Sequence, residues 1–183
     1  MQATSGQITA PVVQALLSDG SLAGEWVLDP CNSSIGLQTK IMGLVPVHGI
    51  FREVAGKGTV YPDGGVRGTV TVAAASIDTK NTRRDKHLRS ADFFDSGNKP
   101  DITFTADGIR LTSRGVAVTG ALTVRDCTRP LSIDAVTSVQ GDGEIWLDAE
   151  VYINRADFGL SWNQMGMVSM NNTLAIHVVF TRR

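Results

Sequence analysis

From Gly24 onward the apolar residues of this chain return at every second position, the period of strands with one face buried. Val70, Val72 and Ala74 alternate with Thr69, Thr71 and Ala73, and Ile102, Phe104 and Ala106 with Thr103 and Thr105. Four later runs repeat the pattern: Val116, Val118, Leu122 and Val124; Leu131, Ile133 and Ala135; Leu147, Ala149, Val151 and Ile153; and Leu174, Ile176, Val178 and Phe180. Asp148, Glu150 and Asn154 fall on the opposite face of their run. Helical spacing is nearly absent.

Turn chemistry separates the runs. PDGG at 62–65, ADG at 106–108, SRG at 113–115 and GDG at 141–143 each read as a hairpin. About eight antiparallel strands in one domain must form a sandwich or close on themselves, and closure alone removes exposed edges. An eight-stranded barrel has room inside for one small ligand.

One stretch breaks the alternation. RRDKHLRSADFF at 83–94 concentrates charge between two uncharged runs. Thr82 with Asp85 three residues on resembles a capping box, and Asp85 with Arg89 is an i,i+4 pair in the favourable order. The pattern predicts a helix over 83–90, too short to hold itself together and therefore docked on the barrel. Phe93 and Phe94 are the expected anchors, and the helix is expected to act as a lid whose charged side stays wet.

At 183 residues the chain suits a single domain with a sizeable core. Seventeen basic and eighteen acidic residues leave a formal charge of -1, so no whole-molecule field attracts nucleic acid. The first 23 residues lack Lys and Arg, and Pro11 and Gln14 interrupt their one apolar run, so they are expected to be an N-terminal extension dispensable for folding, flexible or forming one helical turn at VVQALL. The barrel domain is expected over 24–183. No charged leader and no apolar run of spanning length is present, which predicts a soluble, cytoplasmic protein without a membrane span. The sequence leaves a homodimer open, and also a disulfide between Cys31 and Cys127, although two free thiols are the expected state.

Chemistry is sparse. His48, His87 and His177 have no metal-ligand spacing, so no metal is expected. His87 beside Asp85 is the one candidate acid–base pair. Asp148 and Glu150 have the look of a glycosidase pair but lie opposite the apolar set, which places them on the surface. No glycine-rich phosphate loop opens a helix. What the sequence does offer is an interior: Trp26, Phe51, Phe93, Phe94, Phe104, Trp146, Phe158 and Trp162 supply large rings while Val, Ala and Thr on the strands leave space.

Several segments, in order, resemble the YceI-like family, the lipid- and polyisoprenoid-binding proteins of bacteria. GEWVLDPCNSSIGL at 24–37 resembles its opening strand, GIF at 49–51 its Gly-x-Phe, and SIDTKNTRRDKHLRSADFFD at 76–95, running into KPDITF, its most specific segment. GALTVRDCTRPL at 120–131 and INRADFGLSWN at 153–163 resemble two later ones. Many members carry histidines where this chain has Asn32 and Ile41, and a glycine where it has Asp126.

The resemblance implies an extended, lipocalin-like antiparallel β-barrel with a short helix packed against it and a long isoprenoid chain of quinone type in an apolar tunnel. It also implies that members are frequently exported. The expected function is binding, carriage or storage of such a ligand without catalysis and without a cofactor other than the lipid itself. The expected contacts are Leu37, Phe51, Val70, Val72, Phe93, Phe94, Phe104, Leu122, Val124, Leu147, Val151, Phe158 and Trp162. The alternatives are an enzyme acting on the lipid through Asp85 and His87, and a ligand-free, stress-related barrel with a protein partner.

Overall fold

The computed structural model describes residues 10–140, 143–163 and 166–183. Eleven strands form one antiparallel sheet: β1 (Gly24–Leu28), β2 (Ser34–Ile41), β3 (Val45–Phe51), β4 (Val54–Val60), β5 (Val66–Ala73), β6 (Ile77–Asp78), β7 (Asp101–Thr112), β8 (Gly115–Val124), β9 (Cys127–Gln140), β10 (Glu144–Asn154) and β11 (Asn171–Arg182). The order β1-β4-β5-β7-β8-β9-β10-β11 closes when β11 returns to β1, with Trp26 opposite Arg182 and Leu28 opposite Phe180. Eight strands therefore make the barrel. The chain then bends, and β2 takes the remaining length of the same β11 edge, Ser34 to Gln38 facing His177 to Thr173. β3 and the short β6 extend the wall from there.

The alternation read from the sequence sorts inside from outside. Val70, Val72, Ile102, Phe104, Leu122 and Val178 pack in one interior cluster, while Thr69, Thr71, Thr103 and Thr105 take the outward positions between them. PDGG and SRG are hairpins, closing Val60 on Val66 and Thr112 on Gly115. ADG is not a hairpin. It is a β-bulge within the twelve-residue β7, where the register shifts between Ala106 and Gly108 and Asp107 accepts a hydrogen bond from Thr119 Oγ1 at 3.0 Å. The extra residue moves the inward set from even to odd numbers, so Ile109 faces inside. For GDG, Gly141 and Asp142 lie outside the described residues; the strands on either side pair Gln140 with Glu144.

At inward position 120 the chain needs glycine, because a Cβ there would run into the Thr105 carbonyl and lie 2.9 Å from the Phe104 ring. Its absence lets Phe104 lie across β8.

Two helices close the ends. α1 (Ala10–Ser18) begins with proline in its first turn, where the missing N–H costs nothing. It stops before Gly20, whose φ of +76° suits a residue without Cβ. Its Val13 and Leu17, with Leu22 behind them, pack on Trp26, Val60, Val116 and Val139. Trp26 Nε1–H donates to the Leu22 carbonyl at 3.0 Å. Three buried apolar side chains make residues 10–22 part of the core, which revises the expectation that the opening segment is dispensable.

α2 (Thr82–Arg89) matches the helix expected over 83–90, with a different cap. Asn81 is the cap, its side chain accepting from the Arg84 amide at 3.0 Å. Asp85 does not pair with Arg89. It is buried and accepts hydrogen bonds from the Thr79 amide and hydroxyl, while Arg89 donates to the Ile77 carbonyl at 2.8 Å. Asp85 thus moors α2 to the strand before it, and its replacement would not be silent. Just upstream, hydrogen bonds from Arg52 and then Lys80 hold the Asp78 carboxyl well below the usual carboxylate range.

Candidate functional site

The barrel encloses a cavity of ≈ 400 Å³. Twelve of the thirteen expected contacts border it: Leu37, Phe51, Val70, Val72, Phe93, Phe94, Phe104, Leu122, Val124, Leu147, Phe158 and Trp162. Val151 does not. It is buried on the same face of β10, but the cavity is bounded there by its neighbours Ala149 and Ile153. Trp146, expected among the interior rings, also lies elsewhere. Position 146 points out of the barrel, where the indole N–H donates to Glu144 at 3.0 Å and the ring meets His177 edge-on.

A packed core leaves its side chains no accessible surface, and this interior does. Leu37, Val70, Phe104 and Leu147 border the cavity and are only half-buried. On β4 and β5 the inward positions 58 and 68 are glycines directly opposite each other, so bare backbone borders the space on that side. Alternation with small residues on one wall and large ones on the other keeps the middle of the barrel open.

The two ends differ chemically. At one, Val13, Leu17, Leu22 and Trp26 form an apolar stopper. At the other, Thr79, Arg84 and His87 of the α2 region face Ile41, Val47, Trp162 and Val168. A shallow groove bordered by Asn81, Arg83, Arg84, His87 and Trp162 adjoins that end and shares three of these residues with the cavity.

Arg155 organises the second end. It is 4% exposed and, among the described residues, has no carboxylate partner. Instead its guanidinium donates to the carbonyls of Ser169, Leu160, Trp162 and Val168 and lies over the Phe93 ring, 5.4 Å from its centroid. Burial pulls its pKa down from the ordinary arginine value. Five donors in a fixed fork suit one side chain to gather several carbonyls. The loop carrying Trp162 is thereby tied against Phe93 and α2. Phe93 and Phe94 are both buried, as the sequence predicts, and Phe94 meets Phe51 edge-on at 5.9 Å.

The structure does not assemble the candidate acid–base pair. Asp85 is committed to Thr79, whereas His87 sits edge-on between Phe93 and Trp162 with Nε2 3.3 Å from Asp92. His48 is exposed, and His177 binds Asp148 at 2.6 Å on the outer wall. Asp148 and Glu150 are exposed. Among the described residues no cluster of three His, Cys, Asp or Glu could hold a metal, and no helix is long and apolar enough to cross a membrane. Cys31 is an exposed thiol and Cys127 a half-buried one, and they are not bonded to each other.

Sequence reasoning missed the paired glycines and Ile109, and of the helical stopper it offered only one helical turn at VVQALL as an alternative to a flexible segment. Pro11 reads as an interruption in the sequence but stands in the first turn of the helix, which starts two residues before the VVQALL turn. The glycines were visible in VAGKGTV, where they take the alternating positions that elsewhere hold Val or Leu.

The model of the YceI-like domain matches residues 26–180. Protein YceI of Escherichia coli O6:H1 is 36% identical over 115 residues, covering 60% of this chain and 59% of its own length, so the chain aligns with little more than half of that relative. A UPF0312 protein of Pectobacterium carotovorum subsp. carotovorum, PC1_2518, is 30% identical over 187 residues, 96% of each chain. Among solved structures, a polyisoprenoid binding domain from Saccharophagus degradans implicated in plant cell wall breakdown superposes with a TM-score of 0.72 at 14% identity, covering 86% of this chain and 98% of that one.

Proposed function

This chain belongs to the YceI-like family, and on that premise we propose that it is a non-catalytic carrier or store for a long apolar ligand, of polyisoprenoid or isoprenoid-quinone type, held inside the barrel. The observation that carries the proposal is the cavity itself, whose exposed wall is almost wholly apolar, mostly from Val, Ile, Leu, Ala and Phe, and whose bordering side chains keep accessible surface. Such a space fits a flexible hydrocarbon chain better than a polar metabolite. The solved polyisoprenoid binding domain with the same fold supports the ligand class.

An enzyme acting on the same lipid would need a free acid or base at the reacting atom. The Asp85 carboxylate is turned to Thr79 and therefore away from that work. A ligand-free barrel with a filled core would leave its interior side chains no accessible surface, whereas Leu37, Val70, Phe104 and Leu147 keep some.

Each buried CH₂ contributes about 0.8 kcal/mol, so one five-carbon unit nominally adds roughly 4 kcal/mol. Five or six units would exceed the practical affinity ceiling near ~18–21 kcal/mol, so ordering costs must cancel much of the gain. Ligand length is then set by the space rather than by affinity.

Replacing Leu122, which borders the cavity, by Trp puts the added volume where the ligand would lie. Leu122→Trp should abolish co-purifying lipid with little loss of stability. If the interior were filled by its own side chains, the same change would overpack it at a cost of about 1–3 kcal/mol. Unchanged lipid content in a stably folded variant would contradict ligand binding at this position.

A further inference from the structure

Large apolar side chains on the outside of the barrel mostly stand singly, as on any protein. One group does not: Met42 at 67%, Leu44 at 84% and Val45 at 55% exposure adjoin the exposed Met167, whose carbonyl accepts from the Met42 amide at 2.6 Å. Met42, Gly43 and Leu44 form the loop of the β2–β3 hairpin, closed by the pairing of Ile41 with Val45. Such loops favour Asn, Asp or Gly, and Met42 takes a φ of +53° that suits those residues better than a large side chain. The turn itself gives no reason for methionine or leucine here.

The place of the loop gives one. Ile41 and Val47 border the cavity at its α2 end, and Val45 has the parity of Val47, so the inward stripe of β3 continues past the mouth onto the hairpin tip. Ile41 also bridges Val168, another residue of the mouth, which sets Met167 beside the loop. The surroundings are basic. Lys40 is exposed next to Ile41, and residues 83–92 carry Arg83, Arg84, Lys86 and Arg89 against Asp92 and the buried Asp85, in a chain whose net charge is -1. Arg83 borders the groove that adjoins the mouth.

We propose that this end of the barrel docks on an anionic lipid bilayer, with Met42, Leu44, Val45 and Met167 entering the boundary between headgroups and acyl chains and with Lys40 and Arg83 over the headgroups. Cargo then passes between membrane and cavity without crossing water. An apolar tip within a basic rim complements such a surface in both respects. A second copy of this chain, docked tip to tip, would instead oppose one basic rim to another. The docking rests on the carrier function proposed above.

Flotation of the full chain with vesicles tests it, using phosphatidylcholine alone and phosphatidylcholine mixed with an equal part of phosphatidylglycerol. Wild type should float with the mixed vesicles and much less with the neutral ones, and added salt should narrow the difference. Leu44→Ser, at a site too exposed to matter for folding, should weaken binding to the mixed vesicles about tenfold. Lys40→Gln combined with Arg83→Gln should also lose about tenfold on the mixed vesicles and nothing on the neutral ones. Tyr61→Ser changes an exposed apolar residue at the α1 end, next to Val60, and should float as wild type does. No flotation of wild type, equal flotation with both vesicles, an equal loss in Tyr61→Ser, or a dimer in light scattering that Leu44→Ser dissolves would overturn the docking. Any of these with lipid still present in an organic extract of the protein leaves the carrier function standing; an extract without lipid overturns the carrier function itself.

Discussion

Arg155→Ala is expected to lower the unfolding free energy by about 3–5 kcal/mol, because one buried side chain satisfies several carbonyls that alanine leaves without a donor. The side chain donates to four carbonyls, of which that of Val168 also accepts from Asn163 Nδ2 at 3.0 Å, and a buried carbonyl left unpaired costs roughly 1–3 kcal/mol. Water entering from the nearby end of the cavity will offset part of the sum. Arg155→Met separates causes, because it keeps most of the apolar contact with Phe93 while removing every donor; it should lose nearly as much as alanine. Arg155→Lys should recover only part, since an ammonium is a point charge that cannot reach four acceptors spread over the loop. Denaturant midpoints at constant m-value measure all three. A loss below about 1 kcal/mol for alanine would mean that the loop holds itself without the arginine.

Phe94→Ala should cost about 3–5 kcal/mol, the usual loss for truncating a buried phenylalanine. Phe94 is 7% exposed in the same cluster as Phe51, Ile77 and Leu122, and its edge-on contact with Phe51 adds to its burial. Because Phe94 also borders the cavity, the variant should release bound lipid faster than wild type, which stopped-flow displacement would follow. Charged side chains of α2 that face water, such as Lys86, should matter little to either property, whereas the buried Asp85 should not be silent. Stability lost without faster release would show that α2 and its following turn support the barrel without gating it.

The strands were legible because a barrel imposes a strict period of two on every strand that lines it, and from Val66 to Phe180 the inward residues follow it. Where the period failed, local backbone chemistry had intervened. The Asp107–Gly108 pair carries the same signal in a hairpin and in a bulge, and only the partner strand decides between them. Trp146 has the composition of a core residue but the parity of a surface one, and parity prevailed. Val151 has the right parity yet stops short of the cavity, because where an internal space ends depends on the opposite wall rather than on its own strand. Asp85 and Arg89 are spaced for an ion pair on an isolated helix; burial against Thr79 and Ile77 offered both stronger partners. The role of Arg155 rests on contacts to residues five to fourteen positions away in an irregular loop, for which no periodicity exists.

The central claim is that the cavity holds a long apolar chain. Mass spectrometry of an organic extract from the natively purified protein, beside an extract of Leu122→Trp prepared identically, tests it most directly. A carrier should yield one dominant isoprenoid or related long-chain lipid in near-stoichiometric amount from wild type and little or none from the variant. No lipid from wild type, or equal amounts from both proteins, would contradict it.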